Sequence, residues 1–255
     1  MSDTFFDPPS SEDSLMNAEF VLQASGIYKS YHKNKIEVPV LRGVDVDITA
    51  GKINALVGRS GSGKSTLMHL LATLDRPDAG EIYFQGKRID NAPRAERDAY
   101  RNHDIGIIFQ FYHLLPELTA LENVLAPMMI SQSLWGYFRN RKEIRTRAEE
   151  MLDRVGLAHR ATHRPAEMSG GEMQRAAIAR ALMTDPSLLL ADEPTGNLDT
   201  ETGESILNLL VELNQHDNLT IVMITHDDAI AEKADVCYRM QDGLLETNHG
   251  VLQAA

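Results

Sequence analysis

The run Gly58-Arg59-Ser60-Gly61-Ser62-Gly63-Lys64-Ser65 constrains this chain more than any other. It sets Gly, four residues and Gly-Lys-Ser directly behind the apolar stretch Ile53-Asn54-Ala55-Leu56-Val57, and Thr66-Leu67-Met68-His69-Leu70-Leu71 opens a helix behind it. A buried strand, a glycine-rich turn and a helix in that order build a phosphate cradle. Glycines keep side chains away, so consecutive backbone N–H groups and the positive end of the helix dipole converge on one polyphosphate. Lys64 would reach the β- and γ-phosphates and the Ser65 hydroxyl would sit on Mg²⁺. A flexible Gly/Ser linker is the alternative, but a linker has no reason to lie between a buried strand and an apolar helix. The loop does not say which nucleotide chemistry follows.

The rest of the composition narrows the field. The net charge of −12 makes nucleic acid a poor partner, because nothing in the balance would replace the counterions of a phosphate backbone. No apolar run approaches the roughly 20 residues that cross a bilayer. Residues Met1 to Glu19 carry acid and proline where a secretory leader would carry a basic start and an apolar centre, so the expectation is a chain that neither spans a membrane nor leaves the cytoplasm by that route. The single cysteine, Cys237, suits a reducing compartment and reads as a buried small hydrophobe in the strand-like Asp235–Met240. No Cys/His cluster has metal-ligand spacing, so the metal expected is the Mg²⁺ that accompanies a nucleotide.

Residues 1–17 lack hydrophobic periodicity and read as a disordered tail, with an ordered domain over 18–255. Alternation in Phe20–Ala24 and Val44–Ile48, extended by Glu81–Phe84, predicts an antiparallel β-portion. Ile105–Phe109, Leu188–Ala191 and Leu219–Ile224 are near-continuous apolar runs of strand length, as expected where both sheet faces are buried. The fold class is therefore α/β, a mostly parallel core. Helical patterns at Leu121–Ile130, Lys142–Val155 and Glu172–Met183 interrupt the strand–helix rhythm and read as an inserted helical subdomain, about 111–183.

Polar groups gather at the strand ends, where ligands of open α/β sheets bind. Asp192-Glu193 follows Leu188–Ala191: Asp192 would hold Mg²⁺ through its water and Glu193 could polarise an attacking water as general base. Gln110 follows Phe109, and His226 follows the Leu219–Ile224 strand within reach of a γ-phosphate. Ser169-Gly170-Gly171-Glu172 is a second anion-binding helix start. A chain with two such ends either binds two anions or shares one nucleotide with another copy.

With these motifs in this order, residues 20–247 resemble the ATP-binding-cassette (ABC) ATPases. The resemblance makes Gly58, Arg59, Ser60, Gly61, Ser62, Gly63, Lys64, Ser65 and Thr66 the Walker A loop, Gln110 the Q-loop residue, Ser169, Gly170 and Gly171 the signature, and Asp192-Glu193 the end of Walker B. Gly196-Asn197-Leu198-Asp199 becomes the D-loop, with Asp199 at the nucleotide, and His226 the switch histidine. Tyr31 is the first choice to stack on adenine and Tyr28 the second. Lys64, Gln110, Glu193 and His226 are thereby implied in catalysis, and Ser65, Gln110 and Asp192 around Mg²⁺. Met168 stands where Leu is commonest in the family and Glu172 where Gln is commonest. The cofactors implied are ATP and Mg²⁺, and the partner a second cassette copy in a head-to-tail homodimer that sandwiches two ATP molecules.

Phe109–Pro116, Leu118–Val124 and His159–Pro165 are similar to the lipoprotein-releasing cassettes of that family, while Pro194–Asp199 is shared with macrolide-type exporters and the cell-division cassettes. This implies a peripheral subunit at the cytoplasmic face of the inner membrane, bound to integral membrane permease subunits. Export of peptides or macrolides, and a relay to cell-wall hydrolases without cargo, remain alternatives. Apolar Phe111, Leu114 and Leu115 fit either a docking surface or subdomain core. The aromatic and basic segment 133–142 suits either a membrane-headgroup boundary or the partner's cytoplasmic end, against an ordinary surface loop with a packed Trp135.

Overall fold

In a computed structural model, residues 19–33, 36–131 and 134–248 are described; the expected tail 1–17 and Ser133 lie outside them. Strands β1 (Phe20–Lys33) and β2 (Ile36–Thr49) pair antiparallel, and β4 (Ala79–Phe84) and β5 (Lys87–Arg88) extend the sheet in the order β2-β1-β4-β5. In the second half of β2 the period of two is regular: Val44, Val46 and Ile48 are buried while Asp45 and Asp47 face solvent.

The second sheet has six strands in the order β10-β9-β3-β8-β7-β6. Strands β3 (Ile53–Val57), β6 (Ile105–Ile108), β7 (Leu188–Asp192), β8 (Thr220–Thr225) and β9 (Val236–Gln241) run parallel, and β10 (Leu244–Asn248) returns antiparallel on β9. Its continuous apolar runs have a direct cause. Leu188 and Leu190 of β7, with Val222 and Ile224 of β8, join one core, while Leu189, Ala191, Ile221 and Met223 point to the other. Both faces of the strands are thus covered, and the few buried polar residues, such as Asn54, Thr220 and Thr225, keep their burial. Truncating Leu190 to Ala costs about 2–5 kcal/mol.

Helix α1 (Lys64–Leu71) follows β3, α2 (Arg94–His103) precedes β6, and α6 (Thr200–Asp217) and α7 (Asp228–Ala231) follow β7 and β8. Between β6 and β7 lie α3 (Ala120–Ser131), α4 (Leu134–Arg154) and α5 (Gly170–Leu182). Leu121, Val124, Ile144, Ala148, Leu152 and Ile178 unite these three helices with the core beneath the sheet. Asn123, buried at the start of α3, accepts from the Leu115 amide at 2.7 Å and donates to the carbonyls of Leu115, Leu118 and Thr119, so the loop after β6 is stitched to the helix.

Helix α4 begins eight residues before the Lys142 read from the sequence, because aromatic and basic residues with Gly136 hide a helical turn from a pattern search. Segment 134–142 is therefore helix where a surface loop was one reading, and Trp135 is 88% exposed instead of packed. Cys237 is half-buried beside Ala55 and Val57, less enclosed than expected.

Candidate functional site

Backbone geometry at the phosphate loop follows from its glycines. Gly63 has φ +109°, a left-handed conformation that disfavours side chains, and it is the N-cap of α1. Gly58 permits a close approach: a Cβ there would lie 2.3 Å from the Met240 carbonyl oxygen of β9. The following turn buttresses the loop from the same side, with the Gly243 amide donating to the Ser62 carbonyl at 3.1 Å. A cavity of about 380 Å³ lies between Gly58–Ser62 and Arg239–Asp242.

No side chain caps α1 and its first turn holds no acid, so the end of its dipole is electrostatically open to an anion. Lys64 is buried and its Nζ donates to the Gly58 carbonyl at 2.7 Å and the Arg59 carbonyl at 3.0 Å, which curls the loop around the ammonium. Burial pushes the Lys64 pKa below its ordinary value, while Glu193 and Asp192 push it back up. The buried hydroxyl of Ser62 has no hydrogen-bond partner. An ammonium on neutral carbonyls, an open helix end and an orphaned hydroxyl form a site with unmet demand for an anion.

Ser65 hydrogen-bonds Asp192 across the loop, bringing the end of β7 against α1. Burial raises the Asp192 carboxyl above its usual range, Ser65 opposes this, and Glu193 adds to it. Glu193 lies just past β7 with φ +45°, held by its amide donating to the Ile224 carbonyl at 2.9 Å and by its carbonyl accepting from the Gly196 amide at 3.0 Å. A left-handed φ is uncommon outside glycine and marks a residue positioned at a cost. Both carboxylate oxygens are engaged: Gln110 Nε2 donates to Oε2 at 3.1 Å, and His226 Nδ1 lies 3.0 Å from Oε1, a hydrogen bond in the tautomer that carries its proton on that nitrogen. The strand ends of β6, β7 and β8 thus converge on one carboxylate.

Asn197 ties the next loop in, its Nδ2 donating to the Gln110 carbonyl at 2.9 Å. Asp199 caps α6, accepting from the Thr202 amide at 3.0 Å and the Thr202 hydroxyl at 2.7 Å. These Thr202 bonds hold the Asp199 carboxyl below its usual range.

Ser169 caps α5 in a reciprocal box: its Oγ accepts from the Glu172 amide at 3.3 Å and its amide donates to Glu172 Oε2 at 2.8 Å. Glu172 also accepts from Arg160 Nε at 2.7 Å. Gly170 faces the Tyr112 hydroxyl and Leu198, and Gly171 faces Thr202, so this end abuts the loop before α6 and the first turn of that helix. Farther along α5, Gln174 Nε2 donates to the Pro194 carbonyl at 2.7 Å, linking the helix to the segment after Glu193.

Tyr31 sits on β1 with its hydroxyl donating to Asp75 at 2.9 Å and hydrogen-bonded to Thr66, which brings it to the first turn of α1. Tyr31 is 41% exposed, and Lys29 Nζ lies 5.2 Å from its ring centre. Tyr28 is 50% exposed and its hydroxyl borders Gly43. Of the apolar residues after Gln110, Phe111 and Leu115 are exposed, whereas Leu114 packs on the core. Sequence reasoning missed Asp75, and it placed Asn197 in the D-loop and Arg160 in the His159–Pro165 stretch without their partners Gln110 and Glu172, which lie farther along the chain than a local pattern reaches.

Residues 41–196 match the family model described as ABC transporter. The chain belongs to the ABC transporter family. It is 72% identical over 230 residues to the lipoprotein-releasing system ATP-binding protein LolD 2 of Rhodopirellula baltica, with 90% of each chain covered. To LolD of Acinetobacter baylyi it is 48% identical over 227 residues, covering 89% of this chain and 97% of the relative. Among solved structures, a dimeric ATP-binding cassette in a post-hydrolysis state bound to ADP and Pi superposes with a TM-score of 0.79 at 36% identity, covering 90% of this chain and 99% of that one. A cassette of the cbiONQ transporter from Clostridium perfringens follows with a TM-score of 0.77 at 28% identity, covering 89% and 87%. The ABC fold accounts for the parallel core, the antiparallel sheet and the helices between β6 and β7, and the chain is an ABC ATP-binding subunit that couples ATP hydrolysis to transport.

Proposed function

We propose that this chain is the ATPase of a lipoprotein-releasing complex at the cytoplasmic face of the inner membrane, working as two copies bound to integral membrane subunits. The observation that carries it is the contrast between one helix end left open for phosphate, at Gly63-Lys64, and a second, at Ser169, that is capped within itself and packed against Tyr112, Leu198 and Thr202 of the same chain. A triphosphate held by the first end can meet the second only if another copy supplies it. Names of relatives with high identity over most of the chain support the cargo, and the dimeric neighbour supports the pairing. Among the described residues no helix is long and apolar enough to cross a membrane.

In this reading Gly58 to Ser62 cradle the phosphates with backbone amides, Lys64 leaves its loop carbonyls for the β- and γ-phosphates, and Thr66 with Tyr31 sets the nucleoside end. Ser65, Gln110 and Asp192 form a hard oxygen set that fits Mg²⁺, which would neutralise charge on the phosphates. Gln110 and His226 orient Glu193, and one of those two hydrogen bonds opens when Glu193 takes the proton of an attacking water. Ser169, Gly170 and Gly171 of the other copy close on the γ-phosphate, with Asp199 beside them across the interface. Hydrolysis removes that bridge, and the pair opens.

The test is Glu193→Gln. It removes the base and keeps a side chain that Gln110 and His226 can still hold. ATP binding should survive and turnover should fall at least about 10²-fold. Full turnover would remove Glu193 from the mechanism.

A further inference from the structure

Over residues 134–148 five basic side chains, Arg139, Arg141, Lys142, Arg145 and Arg147, stand against the single acid Glu143, in a chain whose net charge is −12. This is the N-terminal part of α4, whose other face is anchored by buried Ile144 and Ala148 and by Tyr137 packed on the core. Arg145 pairs with Glu149 at 2.9 Å and Arg147 donates to the Met183 carbonyl at 3.1 Å, whereas Arg139, Arg141 and Lys142 face solvent. On the first turn Trp135 is 88% exposed, and at the end of α3 Met129 and Ile130 are 53% and 71% exposed.

An exposed tryptophan at the start of one helix, two exposed apolar residues at the end of the helix before it and exposed cations on the following turns together have the composition of the layer between acyl chains and headgroups. There the ring lies at the acyl boundary and guanidinium and ammonium groups meet lipid phosphates. Charge decides between occupants. The cationic patch is at odds with an otherwise acidic chain, and an anionic lipid surface is complementary to it whatever its detailed shape. We propose that the end of α3 at Met129 and Ile130 and the start of α4 from Trp135 to Lys142 meet anionic phospholipid headgroups directly, so that the cassette touches the bilayer as well as its membrane subunits. This goes beyond the proposed assembly, in which those subunits alone hold the chain at the membrane.

Trp135 is the only tryptophan in the chain, so its emission reports on this surface alone. The full chain is mixed with protein-free vesicles of phosphatidylcholine containing phosphatidylglycerol. The expected result is a blue shift of emission with co-sedimentation, absent on pure phosphatidylcholine and weakened by salt. Replacing Arg139, Arg141 and Lys142 together by Ala should lower partition onto the anionic vesicles about 10- to 100-fold. Trp135→Ala should lower it as well, and ATP turnover in solution should be unchanged in both variants, which shows them folded. An unshifted emission on anionic vesicles overturns the proposal. So does a shift that appears only when membrane proteins are added, because the occupant is then a protein. The ATPase assay of Glu193→Gln is independent of either outcome.

Discussion

The two helix ends assigned to phosphate are built in opposite ways. Helix α1 starts at a left-handed glycine with no side-chain cap, no acid in its first turn and a lysine as its first residue. Helix α5 starts at Ser169 with a complete capping box, and the carboxylate of Glu172 already occupies the place an anion would favour. The first end is therefore short of a ligand in the isolated chain, and the second is satisfied within itself. Such a difference suits a permanent nucleotide clamp and a conditional one. In the proposed assembly binding belongs to α1, and pairing would require α5 to exchange internal hydrogen bonds for those of a nucleotide held by the other copy.

Four substitutions break or sharpen this contrast. Lys64→Ala attacks the permanent end, and kcat/KM for ATP should fall about 10²–10³-fold, measured by phosphate release. Ser169→Arg attacks the conditional end. Nucleotide binding to the separate chain should stay near wild type while turnover falls about 10²-fold, because the long side chain blocks closure. If ATP affinity drops equally in both variants, the two ends are not distinct.

The third variant concerns the ion pair behind the cap. Arg160 offsets a carboxylate that would repel an approaching phosphate, so Arg160→Ala should raise the ATP concentration for half-maximal turnover about 3- to 10-fold. Glu172→Gln in the same chain should restore it, since the repelling charge is gone; a merely structural role for Arg160 would not be rescued this way.

The smallest effect is on stability. The Ser169 amide, then Arg160 and the Ser169 hydroxyl, hold the Glu172 carboxyl below its usual range against the opposing effect of partial burial. Its folded pKa lies below the unfolded value, so its contribution is present above about pH 4.3 and is lost as pH falls through the folded pKa. Glu172→Gln should therefore narrow the difference in Tm between pH 7 and pH 3.5, read by circular dichroism.

Much of this contrast was legible in the residues. Gly-Lys-Ser after an apolar strand, Ser-Gly-Gly before a helix, and Asp-Glu after Leu188–Ala191 are local signals, because the backbone geometry they need is set within a few residues. The parallel strands were legible for a related reason: burial on both faces leaves an unbroken apolar run. What could not be read joins distant residues. Asn197 meets the Gln110 carbonyl 87 positions away, and Tyr31 meets Asp75 across 44. Arg160 was visible only as part of a basic stretch, since its pairing with Glu172 depends on the turn of chain between them. The start of α4 was hidden because Trp135-Gly136-Tyr137 has weak helical propensity, and packing of Tyr137 and Ile144 on the core overrides it.

Light scattering of Glu193→Gln chains with ATP tests the division between the two ends most directly. The account predicts that ATP doubles the mass, and that adding Ser169→Arg returns it to that of one chain while ATP stays bound. A Glu193→Gln chain that remains single with ATP bound, or a Ser169→Arg variant that pairs as readily as its parent, would contradict it.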